Sequence, residues 1–330
     1  MFKKIVYLML GLAISLSACT NSQPDPKPSK EAKALTKIRL PVGYIPNIQF
    51  APLYAAIEKG YFKDAGVEIE FDYSFETDGV KLVGAGELPF AVASGEQVLL
   101  ARAQGVPVTY VAAWYQQFPI SVVSKKEQGI VTPQDLKGKK IGLPGLFGAN
   151  YIGFQALLFS AGLSEADVQL ESVGFNQVEV LAADQQQAVV GYTANEPIQL
   201  KAQGFDVNEI RVADYAHLAS NGILTSEKVI AENPELVRAF VDAFVKGVQY
   251  TIEHPDEIYE LSAKHIPNHA ELDKTVQKQI LATSIEMWKA DRLGYSDPQA
   301  WENMQDVLLK MGLISEKMDL GKAFTNEFVP

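Results

Sequence analysis

Ile38-Arg39-Leu40-Pro41-Val42-Gly43 is a strand-like run, Tyr44-Ile45-Pro46-Asn47-Ile48-Gln49 a loop, and Ala51 to Lys59 an apolar helix that Gly60 stops. Strand, loop and helix in that order open a β-α unit. The pattern continues with a second strand from Val67 to Tyr73. A glycine-rich patch then leads to a strand from Leu88 to Ala93, a helix from Glu96 to Gln104 ended by Gly105, and a strand from Val108 to Ala113. A second cycle starts at Ile120-Ser121-Val122-Val123. It continues through a one-turn helical element at Thr132 to Leu136, a strand at Lys140 to Leu143, a helix from about Asn150 to Ala161, and strands at Val168 to Val173 and Ala188 to Tyr192. Ile223 to Ser226 reads as a return strand. Beyond Asn233-Pro234-Glu235, Leu236, Phe240, Phe244, Val248 and Ile252 recur at helical spacing, and Leu272 to Arg292 and Pro298 to Met311 are helical too. The expectation is an α/β fold with largely parallel sheets, built in two rounds of similar organisation but different residues. The helical tail is expected to pack back on the first lobe.

The N-terminus carries Lys3 and Lys4, an apolar run from Ile5 to Leu16, and then Leu16-Ser17-Ala18-Cys19. A basic start, a short apolar stretch and a small-residue cleavage site make an export signal, and the run is short for a bilayer span. Cys19, the only cysteine of 330 residues, stands where a lipoprotein signal places the residue that takes a diacylglycerol. An ordinary export signal or a short membrane helix is the competing reading. The expectation is that residues 1–18 are removed, that 19–37 form a tether too polar to fold, and that the folded part is extracytoplasmic and membrane-anchored. Removing Lys3 and Lys4 takes the formal charge from −11 to −13. An acidic chain without a basic cluster is poorly suited to nucleic acid. One cysteine leaves no disulfide, so stability must come from core burial.

No catalytic constellation stands out. The four histidines are at 217, 254, 265 and 269, and Pro267 breaks the helical face that would pair His265 with His269 on a metal; they read as surface residues. There is no Gly-x-Ser-x-Gly elbow, and Gly142-Leu143-Pro144-Gly145 lacks the Lys-Ser/Thr of a phosphate loop. Binding chemistry is better represented, in loops that follow strand ends, where open α/β sheets place ligands. Trp114, Tyr151 and Tyr192 are candidates for ring faces. Tyr44, Asn47, Gln49, Ser94, Asn150, Asn195 and Glu196 are candidates for hydrogen bonds, with Glu76 and Asp78 after the second strand. Each aromatic could instead be core, Ser94 a helix cap, and Glu76 and Asp78 solvated charges. No arginine stands in these loops, so an anionic ligand would meet carboxylates.

Gly43-Tyr44-Ile45-Pro46-Asn47-Ile48-Gln49-Phe50-Ala51-Pro52-Leu53-Tyr54, Glu58-Lys59-Gly60-Tyr61-Phe62, Ala91-Val92-Ala93-Ser94-Gly95, Asp135-Leu136-Lys137-Gly138-Lys139-Lys140-Ile141-Gly142 and Asn233-Pro234-Glu235-Leu236-Val237-Arg238-Ala239-Phe240 together resemble the solute-binding proteins of the thiamine-pyrimidine-precursor and alkanesulfonate type. Phe75-Glu76-Thr77-Asp78 and Ala194-Asn195-Glu196-Pro197 are most similar to riboflavin-binding lipoproteins within that family. The resemblance implies a two-lobed periplasmic-binding-protein fold of type II, with two crossover segments and the ligand in the cleft. It places the first lobe at 38–116 and 226–330 and the second at 117–225. It also implies a monomer that serves an ABC permease and its ATPase, with riboflavin as transported ligand rather than cofactor, or a thiamine pyrimidine precursor instead. Relatives include a pyrimidine synthase with a cysteine-rich metal motif and a site histidine. This chain departs from it, having only Cys19 and no histidine before His217. An anchored enzyme acting on a small heteroaromatic is the remaining alternative.

Overall fold

The computed structural model describes residues 35–330; the export signal, Cys19 and most of the expected tether lie outside them. Ten strands are present among the described residues: β1 (Thr36–Pro41), β2 (Val67–Asp72), β3 (Ala91–Ala93), β4 (Val108–Ala113), β5 (Ile120–Lys125), β6 (Lys140–Leu143), β7 (Gln169–Ser172), β8 (Ala188–Tyr192), β9 (Val207–Arg211) and β10 (Gly222–Ser226). The first lobe holds the parallel pair β1-β2, with Ile38 opposite Ile69, and beside β1 the ladder β3-β10-β4. The second lobe is one sheet, β7-β6-β8-β5-β9. The lobes therefore share one plan.

Three of the expectations change here. Largely parallel sheets were expected, yet β10 runs antiparallel to β3 and β4, and β5 antiparallel to β8 and β9. Each is the strand on which the chain arrives from the other lobe, so its direction is set by the crossing. The second lobe also ends before 225: Gly222–Ser226 belongs to the first-lobe sheet, and the crossovers are 114–119 and 212–221. Their backbones are joined, since the Trp114 and Tyr115 amides both donate to the Asn221 carbonyl, at 3.0 and 3.1 Å. Strand β1 begins at Thr36, so the tether ends two residues earlier than expected.

The glycine-rich patch after β2 is a helix, Glu76–Gly84. Gly79 and Gly84 lie inside it because a Cβ at Gly79 would come within 2.7 Å of Pro41 Cβ, and one at Gly84 within 2.1 Å of Val106 Cγ1. Close packing, not a turn, is what those glycines serve. The long helix Pro234–Glu253 turns Val237, Phe240, Val241, Phe244 and Val248 inward against the helix Ala51–Glu58, so the tail does cover the first lobe. The helix Pro298–Lys310 differs, packing on both Gly95–Ala103 of the first lobe and Gly148–Ser160 of the second. One apolar core accordingly runs from Val98 and Tyr110 through Phe118 of the first crossover to Ile120 and Phe154. Of the histidines expected at the surface, His269 is buried beside Tyr259, and His265 stacks on Tyr54 at 4.6 Å with Glu58 Oε1 3.0 Å from its Nε2.

Gly222 starts the returning strand where a Cβ would lie 2.1 Å from the Tyr110 hydroxyl oxygen and 2.2 Å from the Ala112 carbonyl oxygen. Gly222→Ala should therefore destabilise the chain by about 1–3 kcal/mol, through overpacking against backbone that cannot yield. Urea unfolding, followed by tryptophan fluorescence, measures it.

Candidate functional site

A cavity of about 980 Å³, counting its open mouth, lies between the lobes where strand ends and helix starts face one another. The first lobe contributes the β1-to-helix loop (Gly43, Tyr44, Gln49), the start of the helix Glu76–Gly84 and Gln97; the crossovers contribute Trp114, Tyr115 and Asn221. The second lobe contributes Pro144, Gly145, Phe147 to Asn150, Phe175, Gln177, Tyr192, Asn195 and Glu196. No lysine, arginine or histidine lines it among the described residues.

The mouth is aromatic. Phe75, Phe147 and Phe175 are 49%, 50% and 39% exposed, values that single them out from the core rings. Phe75 reaches across to Phe147 (centroids 5.8 Å, 82°) and Phe175 (6.1 Å, 33°), and Phe175 meets Tyr44 edge-on at 4.9 Å. Exposed apolar rings gathered at a cavity mouth mark a place where another apolar surface is covered.

The floor is acidic. Glu76 Oε1 accepts from Asn221 Nδ2 (2.8 Å), and its Oε2 accepts from the Ser94 amide (3.1 Å) and hydroxyl (2.9 Å). Glu196 Oε2 accepts from the Tyr192 amide at 2.6 Å, and its Oε1 from Asn195 Nδ2 at 3.2 Å. Glycine makes room for both carboxyls. A Cβ at Gly43, whose φ is +81°, would lie 2.5 Å from Glu76 Cγ, and one at Gly191 the same distance from Glu196 Oε2. Burial drives these groups toward the neutral form: it raises Glu76 above the ordinary carboxyl range and takes Glu196 to about 7. Gln49 Nε2, Trp114 Nε1 and Asn150 Oδ1 are buried without a partner among the described residues, leaving two donors and one acceptor for a guest.

Of the residues expected from the sequence, the cavity gathers Tyr44, Gln49, Glu76, Trp114, Asn150, Tyr192, Asn195 and Glu196. Four stand elsewhere. Asn47 accepts from the Gln49 amide at 2.9 Å as a cap, Asp78 is exposed and 3.7 Å from Lys81, and the Tyr151 hydroxyl donates to Glu165 at 2.6 Å, away from the cleft. Ser94 is buried beneath Glu76, and its side chain makes no helix-cap hydrogen bond, bridging Glu76 to Glu96 instead. Trp114 is only 2% exposed and packs against Phe50, Phe244 and Trp288, so it forms the apolar floor more than a free face. Sequence reasoning missed Phe175, Gln177 and Asn221. Phe175 sits beside Gly174, whose φ is +62°, and Asn176; an exposed aromatic in such a turn was the available signal.

The profile of the NMT1/THI5 like family matches residues 47–258. The chain belongs to this family. Among relatives, NMT1/THI5-like similarity extends to the riboflavin-binding protein RibY of Chloroflexus aurantiacus, 41% identical over 99% of this chain and 98% of its own. It extends also to the formylaminopyrimidine-binding protein of Halalkalibacterium halodurans, 28% identical over 91% of each chain. A family member from Legionella pneumophila named 4-amino-5-hydroxymethyl-2-methylpyrimidine phosphate synthase is 23% identical over 89% of this chain and 93% of its own. Among solved structures, the periplasmic aliphatic sulphonate-binding protein SsuA of Escherichia coli superposes with a TM-score of 0.71 at 14% identity, over 88% of this chain and 92% of that one. This NMT1/THI5-like chain has the two-lobed periplasmic-binding-protein fold.

Glu196 makes the family cleft pH-sensitive in stability. Its proton is held in the folded chain up to about pH 7 but released near pH 4.5 when unfolded, so the folded state binds more protons between these values. The Glu196 contribution is thus full below about pH 4.5 and lost as pH rises through about 7. Glu196→Gln should remove that slope, and the difference in melting temperature between variant and parent across this range measures it.

Proposed function

We propose that this chain is the solute-binding component of an ABC importer that binds riboflavin, or a related flavin, between its lobes and delivers it to a permease worked by its ATPase. The carrying observation is the cleft itself: aromatic rings from both lobes over a floor of carboxyl and amide groups, with no cationic side chain among the described lining residues. A flavin offers a broad ring for the mouth and hydroxyl and imide donors for Glu76, Asn195 and Glu196. Similarity to the Chloroflexus protein over nearly the full length supports the same ligand. The chain acts without turnover. Relatives named as synthases share less of its sequence, and His265 and His269 are occupied with Glu58, Tyr54 and Tyr259 outside the cleft. Cys19 would carry the acyl anchor on the outer face of a membrane, with the chain acting as a monomer. No helix among the described residues is long and apolar enough to cross a membrane.

A second reading keeps the role and changes the ligand to a thiamine pyrimidine precursor, favoured by the similarity to the formylaminopyrimidine-binding protein. The flavin is preferred because the similarity to the riboflavin-binding relative is higher, 41% against 28% identity, and covers more of the chain.

Titrating the chain into riboflavin should quench flavin fluorescence saturably, one to one, with a constant of about 1 μM or tighter. Thermal stabilisation by a pyrimidine precursor with no quenching would instead select the second reading. Riboflavin 5′-phosphate should bind at least about tenfold more weakly, because its added charge of about −1.5 to −2 finds buried carboxyls and no cation.

Phe175→Ala removes ring contacts with both Tyr44 and Phe75 and should weaken flavin binding by about tenfold. Tyr151→Ala, whose hydroxyl faces Glu165, should change it by less than about twofold. The same fluorescence titration compares them.

A further inference from the structure

Beneath the cleft floor lies a third carboxyl, which does not line the cavity. Glu96, in the first turn of the helix Gly95–Ala103, is fully buried. Ser94 joins it to the floor: its hydroxyl oxygen is 2.9 Å from Glu76 Oε2 and in still closer contact with Glu96 Oε1. A serine hydroxyl has one hydrogen to donate. Two carboxylate oxygens on one hydroxyl therefore require a second hydrogen, which must sit on one of the carboxyls. The partners decide which. Glu76 accepts from three donors, the Ser94 amide, the Ser94 hydroxyl and Asn221 Nδ2, as an anion does. Besides Ser94, Glu96 receives Gln97 Nε2 at 3.3 Å and a weak contact from its own amide, and its Oε2 is buried with no hydrogen-bond partner among the described residues, an arrangement tolerable for a neutral acid and costly for an anion.

We propose that Glu96 is a positioning residue for the binding site: it holds a proton that it donates to Ser94, so that Ser94 in turn donates to Glu76 and fixes Glu76 as the ionised acceptor presented to the ligand. The inference rests on the solute-binding reading for its ligand but not for its proton.

The surroundings agree. Burial first, and the Glu76 charge second, push Glu96 up to about 7. The other titratable groups nearby are the phenols of Tyr110 on β4 and Tyr192 on β8, both raised by burial and neutral. On the helix Glu76–Gly84, Asp78 and Lys81 face solvent together. On Pro298–Lys310, Trp301 and Met304 face inward while Glu302, Asp306 and Lys310 are exposed, and Lys322 is exposed as well. Tyr151 of Gly148–Ser160 is engaged with Glu165, and Arg102 on the same helix as Glu96 is bound to Glu227. The crossover that covers Glu96 brings Ala219, Ser220 and Asn221, which carry no charge. No cation takes the place of the proton.

Above about pH 7 the proton leaves, two anions face one hydroxyl hydrogen, and Glu76 must move off the Ser94 and Asn221 donors that orient it. Riboflavin affinity of the full chain should be level up to about pH 6.5 and weaken about tenfold or more by about pH 8.5. Glu96→Gln, whose amide donates to Ser94 as the acid does, should match the parent at about pH 6 and lose several-fold less affinity than the parent by about pH 8.5, the remaining decline belonging to Glu196. A merely structural Glu96 would not flatten the profile. A parent profile that is already level, or a variant that follows the parent's decline, overturns the proposal. If riboflavin binds at no pH, it is the ligand reading that fails, and infrared spectroscopy still decides the proton. Because Glu196 is also protonated up to about pH 7, the spectra are taken in the Glu196→Gln background: the carboxylic-acid carbonyl band should be present there at about pH 6, bleach by about pH 9 and be lost when Glu96→Gln is added; its absence before Glu96→Gln is added overturns the proposal.

Discussion

The Asn221 carbonyl accepts from the Trp114 and Tyr115 amides, while the Asn221 side chain donates to Glu76 and accepts from the Tyr192 hydroxyl at 3.2 Å. One residue of the second crossover thus binds the first crossover by its backbone and both lobes by its side chain. A two-lobed protein needs a place where the lobes can change angle without losing register. The paired crossovers supply it, since their mutual hydrogen bonds survive a rotation that moves the strand ends apart. The helix Pro298–Lys310, lying on a helix from each lobe, ties the two together a second time.

The cleft that this joint serves is built against the usual preference for pairing buried charge. Glu76, Glu96 and Glu196 are met by backbone amides, Asn, Gln and Ser rather than by lysine or arginine. Such groups satisfy a carboxyl without cancelling its acceptor character. The result is a floor that offers hydrogen-bond acceptors and, among the described lining residues, no cation, in a fold whose structural neighbours include a sulphonate binder. Gly43 and Gly191 allow it, because any side chain there would occupy the space of the carboxyl itself.

Much of this was legible in the sequence, for reasons specific to each element. The β1 run, the loop through Gln49 and the helix that follows stand as read, because an apolar strand and a proline-started helix closed by a glycine leave little choice. The helix Glu76–Gly84 was not legible, since Gly79 and Gly84 signal turns locally while serving contacts with Pro41 and Val106 that exist only in the folded chain. The antiparallel β5 and β10 were hidden likewise, because strand direction is set by which lobe the chain leaves. In the cleft, loop aromatics and amides pointed to Tyr44, Gln49, Trp114, Tyr192 and Asn195. Asn47, Asp78 and Tyr151 share their composition and neighbourhoods, and only side-chain direction separates them. Asn221 gave no signal, as its importance comes from partners about 30 to 145 positions distant in sequence.

The rings at the mouth carry one further consequence. Phe75 belongs to one lobe and Phe147 and Phe175 to the other, and their rings pack against one another. Contact between the protein's own rings favours the shut arrangement of the lobes and so raises its population. A ligand that needs the shut form then loses less of its intrinsic affinity to the conformational equilibrium, in proportion to that population. The cleft's grip on its guest is in this way set partly by how well the protein's own two halves hold each other.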